Sequence, residues 1–260
     1  VEENDENNNA VSVAYTVEGE ANDPPTEASV APPLGCPEGE SCACVEAELC
    51  QLQITAEDTP DILLSFRDYS GTDGVLRLIS GDGSAVHWSI QEITPGYDVY
   101  RYAGTAIADL DADGWPEILL MATNGSTCYL ACLEYDGTMR WIDTANGHGL
   151  RGHFPSVSDL DGDGTPEIVL GAYIYNIDGS VRGVGSYGSG YYSGYGNSGY
   201  TSFGMDMDGD GQLEVVVGDA LYDADGNTVC NTGSPDGQPG AADLDLDGEG
   251  EFVTVSGGSV

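Results

Sequence analysis

Four nine-residue segments of this 260-residue sequence repeat one arrangement of carboxylates, D-x-D-x-D-G-x-x-E, beginning at Asp109, Asp159, Asp206 and Asp243. Their acidic side chains are Asp109, Asp111, Asp113 and Glu117; Asp159, Asp161, Asp163 and Glu167; Asp206, Asp208, Asp210 and Glu214; and Asp243, Asp245, Asp247 and Glu251. Alternation brings three carboxylates to one side of a loop, the glycine at position six permits a sharp turn, and the acid at position nine closes the shell. This is what a hard cation asks of a short loop. Calcium takes six to eight oxygens in flexible geometry, whereas magnesium keeps its waters and demands an octahedron. In the first loop the backbone carbonyl of Trp115 adds a fifth oxygen. The pattern is not an EF-hand, whose closing Glu stands twelfth between two helices.

A single Asp-Gly-rich turn would be ordinary in a β protein, its acids merely solvated. Four in the same phase favour calcium, about four ions per chain. Four carboxylates held about 4 to 5 Å apart repel by a few kcal/mol per pair at an effective dielectric of about 20, so the loops would splay without a cation. The chain carries 45 acids against 6 bases, a formal charge of −39, which four Ca²⁺ (eight positive charges) would move to −31. All six bases are arginine, which excludes Schiff-base lysine chemistry and lysine-dependent phosphate loops. Nucleic acid and anionic membrane surfaces are poor partners for such a charge. No apolar run is long enough to insert in a membrane. Gly183 to Gly188 matches G-x-G-x-x-G, but Gly and Tyr follow it rather than a helix. No G-x-S-x-G segment occurs, His87, His148 and His153 show no ligand spacing, and the carboxylate pairs belong to the loops. The expectation is a protein that is not an enzyme.

The elements that must hold these loops also repeat. Each loop runs directly into an apolar β-prone segment: 118–121, 168–170, 215–217 and 252–255. Beyond the first three comes an Asp-Gly turn (Asp136-Gly137, Asp178-Gly179, Asp225-Gly226) and another strand pattern. A degenerate copy precedes them, with Asp61 at the Glu position, an apolar run over 62–66, a turn at Asp82-Gly83, and Trp88 where the next copy has Trp141. It lacks the acidic ladder and should hold no metal. Small sheets of this size bury their faces only by stacking, radially or in line. The sequence therefore predicts an all-β, propeller-like array of about five small antiparallel sheets over 51–260, four of them with calcium loops, the last ending after a strand or two.

These loops resemble the FG-GAP repeats of integrin α-subunit propellers and the VCBS-type repeats of secreted bacterial proteins. The resemblance implies calcium ligation through positions one, three, five and nine and the position-seven carbonyl, here Trp115, Thr165, Gln212 and Glu249. The Phe-Gly and Gly-Ala-Pro signatures are reduced to Phe203-Gly204 and Gly171-Ala172, and family propellers usually have about seven blades.

Residues 1–50 differ, with twelve acids and no base. Residues 1–35 read as a disordered acidic segment, a lone alternating strand over 10–17 and a Pro-rich linker over 18–35. Cys36, Cys42, Cys44 and Cys50 within 36–50 read as a disulfide knot; a thiolate zinc site competes, although the spacing lacks paired C-x2-C hairpins. Cys128 and Cys132 could bridge only if the chain turns between them, and Cys230 is left over. The first residues do not form a signal peptide, so an exported protein would be seen in its mature form. Tyr187 to Tyr200 holds five of the fifteen tyrosines, a sticky surface or an ordinary connection, and Asn124-Gly-Ser126 is a glycosylation sequon. Together these features predict an extracellular or cell-surface structural protein that self-associates, its arm completing a neighbour's unfinished last sheet in preference to closing its own ring; the alternative is a secreted module binding glycan or protein.

Overall fold

The computed structural model describes residues 60–67, 74–191 and 198–256. The expected strand over 10–17, the linker, Cys36 to Cys50, part of the Tyr/Gly run and Gly257 to Val260 lie outside the described residues. Among the described residues there are strands and no helix.

β1 (Ile62–Arg67), β2 (Gly74–Ile79) and β3 (Val86–Ile90) form an antiparallel sheet that is the degenerate copy. β4 (Glu92–Thr94) and β5 (Tyr97–Val99) make a hairpin, followed by β6 (Ala106–Ala108), β7 (Glu117–Thr123), β8 (Cys128–Leu133) and β9 (Met139–Ile142). These six share one sheet, with β5 and β6 successive along the same edge of β7. After β10 (Gly152–Phe154) come β11 (Ser156–Ser158), β12 (Glu167–Leu170), β13 (Tyr173–Tyr175) and β14 (Val181–Val184), the last four a single sheet. β15 (Ser198–Thr201) precedes a second four-stranded sheet, β16 (Phe203–Met205), β17 (Glu214–Val217), β18 (Ala220–Tyr222) and β19 (Thr228–Asn231). β20 (Gln238–Ala242) and β21 (Glu251–Val255) form the last pair. Each acidic segment is the connection between the first two strands of its repeat, and β6, β11 and β16 lie side by side.

The apolar run after each loop is continuous because both its faces are covered by other sheets. In β7, Ile118 and Leu120 pack with Leu76 and Val99, while Leu119 and Met121 meet Ile168 and Leu170 of β12. Val169 turns the other way, toward Val215 and Val217 of β17, and Val216 faces Phe252 of β21. The core is thus a series of layers, one between each pair of successive sheets.

A second device joins the sheets. The indole N–H of Trp88 donates to the Tyr135 carbonyl at 3.1 Å, and that of Trp141 to Ile177 at 2.9 Å. Each accepting residue stands just before the next repeat's Asp-Gly turn, and a Cβ on Gly179 would lie 2.7 Å from the Trp141 ring. One repeat later the equivalent strand position is Gly183, where a Cβ would lie 2.1 Å from the Asp225 carbonyl, so backbone replaces indole. Gly185 fits under the Tyr222 ring and Gly188 beside Asp219. The G-x-G-x-x-G segment is a packing motif.

Two features depart from the sequence expectation. Among the described residues five of the six sheets are antiparallel, but β10 and β15 pair in parallel, drawing the end of the Tyr/Gly connection back onto the chain. The β4–β5 hairpin enlarges the second sheet. Cys128 and Cys132 both lie within β8, free and buried, with no turn between them to bring their sulfurs together; Cys230 is free and exposed. His148 and His153 are buried structural groups, His148 within 3.2 Å of the Tyr175 hydroxyl.

Candidate metal centres

The position-one Asp shapes each loop by accepting loop N–H groups. Asp109 takes those of Asp113 (3.2 Å) and Gly114 (3.0 Å), and Asp159 those of Asp163 (3.1 Å) and Gly164 (3.0 Å). Asp206 takes Gly209 (2.7 Å) and Gly211 (3.1 Å), and Asp243 takes Gly248 (3.1 Å). The position-six glycines all adopt φ near +90°, the left-handed region. Position four is left-handed too, in Gly162 and Gly209 but also in Ala112 (φ 59°) and Leu246 (φ 64°), where a side chain makes it costly.

Within each loop three carboxylates come together with ligand atoms inside 4.8 Å of one another. They are Asp109, Asp111 and Glu117; Asp159, Asp161 and Glu167; Asp206, Asp208 and Asp210; and Asp243, Asp245 and Glu251. The remaining acids sit outside these groups. Asp113, Asp163 and Asp247 at position five instead accept the position-seven N–H of Trp115 (2.8 Å), Thr165 (2.7 Å) and Glu249 (2.9 Å). Asp210 also accepts the Gln212 N–H at 2.8 Å, and in this loop Glu214 is the acid outside the group.

The position-nine acids begin β7, β12, β17 and β21, and each accepts the position-two N–H. Glu117 does so from Leu110 at 2.8 Å, Glu167 from Leu160 at 2.9 Å, Glu214 from Met207 at 2.9 Å and Glu251 from Leu244 at 2.7 Å. Glu117, Glu167 and Glu214 are buried beside apolar position-two side chains. That burial pushes the Glu117 carboxyl up to about 7 against the opposing pull of the Leu110 N–H and Arg140, and raises Glu167 and Glu214 likewise. A carboxylate that loses water at this position needs a cation or a proton. The loops are also joined laterally: Leu213 N–H donates to the Leu160 carbonyl (2.8 Å) and Gly250 N–H to Met207 (2.7 Å), whereas the equivalent residue in the second loop is Pro166, with no N–H.

The donor set consists of oxygens alone, anionic, clustered and held by backbone rather than by softer ligands, which fits a hard divalent ion such as calcium. Three basic side chains reach the position-nine acids, a feature the motif reading missed. Arg140 contacts Asp111 and Glu117, Arg182 contacts Asp161 and Glu167, and His87 contacts Asp61 in the degenerate copy. The signal was present, since Arg140 and Arg182 each stand four residues after the Asp of an Asp-Gly turn in a chain with only six bases.

The family model for the FG-GAP-like repeat matches residues 109–170, which span the first two complete loops. No curated protein matches the sequence. Among solved structures the chain is similar to the V. cholerae biofilm matrix protein Bap1, at 23% identity and a TM-score of 0.58 over 75% of this chain and 31% of that one. It is also similar to the Bacillus licheniformis rhamnogalacturonan lyase PL11, at 22% identity and a TM-score of 0.51 over 73% of this chain and 36% of that one. The chain therefore spans about a third of the length of either structure, and at these identities the likeness is one of fold. The matched segment, its two loops and the strand order around them make residues 109–170 similar to the FG-GAP-like repeat.

Proposed function

We propose that the chain is a calcium-stabilised structural or adhesive module of the extracellular or cell-surface environment, its sheets arranged as propeller blades and its copies associating with one another. The single observation that carries this reading is the recurrence of a three-carboxylate group at the same point of four successive repeats. Such a device links the first two strands of each sheet and makes folding depend on a divalent ion abundant outside cells. The similarity to part of a biofilm matrix protein supports the extracellular assignment. The reading gives the chain no catalytic role, because the clustered carboxylates are occupied in holding ions.

The test is chelation. Four ions that bind only the folded chain would each stabilise it by about 1 to 3 kcal/mol at millimolar calcium and Kd values near 10⁻⁴ M or somewhat tighter. Excess EDTA should lower Tm steeply, and calorimetric titration should return about four ions; an unchanged Tm, or fewer than two ions, refutes the reading. Self-association is assigned to donation of the 10–17 strand to a neighbour's last sheet. Size-exclusion chromatography of a chain lacking residues 1–20 should show monomers that still bind calcium, and assembly like that of the full chain sinks the donation.

A second reading, a module that binds glycan or protein, is favoured by the exposed Tyr187 and Phe154 and by Arg151 stacked on Tyr191. It predicts a discrete particle with and without calcium.

A further inference from the structure

Resting on the calcium reading above, we infer that Arg140 and Arg182 are resident counter-ions that compete with calcium for the first two loops, so that the four sites fill unequally and the Asp206 to Glu214 loop fills ahead of those two.

In four repeats the same irregularity leaves one residue of the outer strand out of the register. In β3 the register skips His87 (Leu78 pairs Trp88, Ile79 pairs Val86), and in β9 it skips Arg140 (Cys132 pairs Trp141, Leu133 pairs Met139). In β14 it skips Arg182, and in β19 it skips Val229. A bulged residue is re-aimed out of the pleat, and here three of the four reach the position-nine carboxylate. His87 meets Asp61 at 3.1 Å in the copy without an acidic ladder. Arg140 meets Glu117 at 3.1 Å and Asp111 at 2.7 Å, with Glu134 at 3.7 Å. Arg182 meets Glu167 at 2.5 Å, Asp161 at 2.7 Å and Asp225 at 3.0 Å.

Each guanidinium therefore bridges two of the three acids that would hold the ion in its loop, positions three and nine. It uses oxygens the ion needs and sets a positive charge beside a doubly positive one. Guanidinium does not lose its proton, so the conflict is relieved only by sharing a carboxylate or by the side chain moving aside. The third loop has no such conflict. Val229 brings no charge, and no basic group contacts Asp206, Asp208, Asp210 or Glu214 among the described residues. In the degenerate copy a protein base likewise stands on the position-nine acid, His87 on Asp61, and the sequence has Gln53 and Thr55 at positions one and three.

The experiment is calcium titration of the full chain by isothermal calorimetry, with terbium luminescence as a second readout. Wild type should give ions of at least two affinity classes. Arg182→Gln should tighten one of the weaker sites by about tenfold or more without changing the number of ions. In an Asp161→Ala background, which removes that site, the same substitution should change nothing. Arg182→Lys keeps the charge and should stay near wild type. Val229→Arg, which needs no loss of an existing contact, should weaken one of the tighter sites by a similar factor. An Arg182→Gln isotherm identical to wild type, or weaker binding in it, overturns the competition while leaving the calcium sites intact; the same holds if Val229→Arg has no effect. A wild-type chain that takes up no calcium overturns both readings.

Discussion

The tryptophan contacts between sheets make a prediction that does not depend on metal. Trp141 is half-buried, its indole N–H is bonded to the Ile177 carbonyl at 2.9 Å, and its ring lies where a Cβ on Gly179 would come within 2.7 Å of two ring carbons. Trp141→Ala removes the ring packing and one hydrogen bond, about 2 to 3 kcal/mol, below the cost of deleting a fully buried ring. Gly179 holds φ +82°, so Gly179→Ala incurs about 1 kcal/mol for the left-handed backbone plus about 1 to 3 kcal/mol for overlap with the indole. In the Trp141→Ala chain the overlap is gone and only the backbone part remains. The two substitutions together should therefore destabilise by about 1 to 3 kcal/mol less than their sum. Urea denaturation at fixed saturating calcium, followed by fluorescence and circular dichroism, gives the four values of the cycle. Additivity within about 0.5 kcal/mol would refute the contact, because residues that do not touch do not couple. Trp141→Phe, which keeps part of the ring and loses the N–H, should cost about 1 kcal/mol.

Leu246→Gly and Ala112→Gly should stabilise the chain by up to about 1 kcal/mol in the same denaturation assay, since each relieves a left-handed non-glycine residue at the position that Gly162 and Gly209 occupy in the other loops. Stability should also fall with acid through His148, whose pKa burial lowers from 6.5 to about 4. The unfolded chain takes up this proton below about pH 6.5 and the folded chain only near 4, so the contribution of the neutral buried ring is full above 6.5 and declines by up to about 3 kcal/mol toward pH 4. The NMR shift of the His148 ring protons should stay that of a neutral imidazole at pH 5; a midpoint near 6.5 would contradict the burial.

The repeat itself was legible because it is made of local events. Loop, apolar run, Asp-Gly turn and strand each depend on neighbours within a dozen residues, so Asp136, Asp178 and Asp225 mark hairpins and Ile118, Ile168 and Val215 stand in buried strands as their types require. The acid positions were legible for the same reason. What they do together was not. Whether Asp113 joins Asp109 or instead accepts the Trp115 N–H depends on loop dihedrals, and two of those are left-handed at Ala112 and Leu246, which no propensity announces. The parallel pairing of Gly152–Phe154 with Ser198–Thr201 joins segments more than forty residues apart and rests on close backbone approach at Gly199, beside the Gly152 carbonyl. Most of all, the partners of Glu117 and Glu167 were decided by tertiary structure. A bulge carries Arg140 or Arg182 under a loop more than a dozen residues back in the chain, because strand pairing and not sequence distance fixes which charges meet.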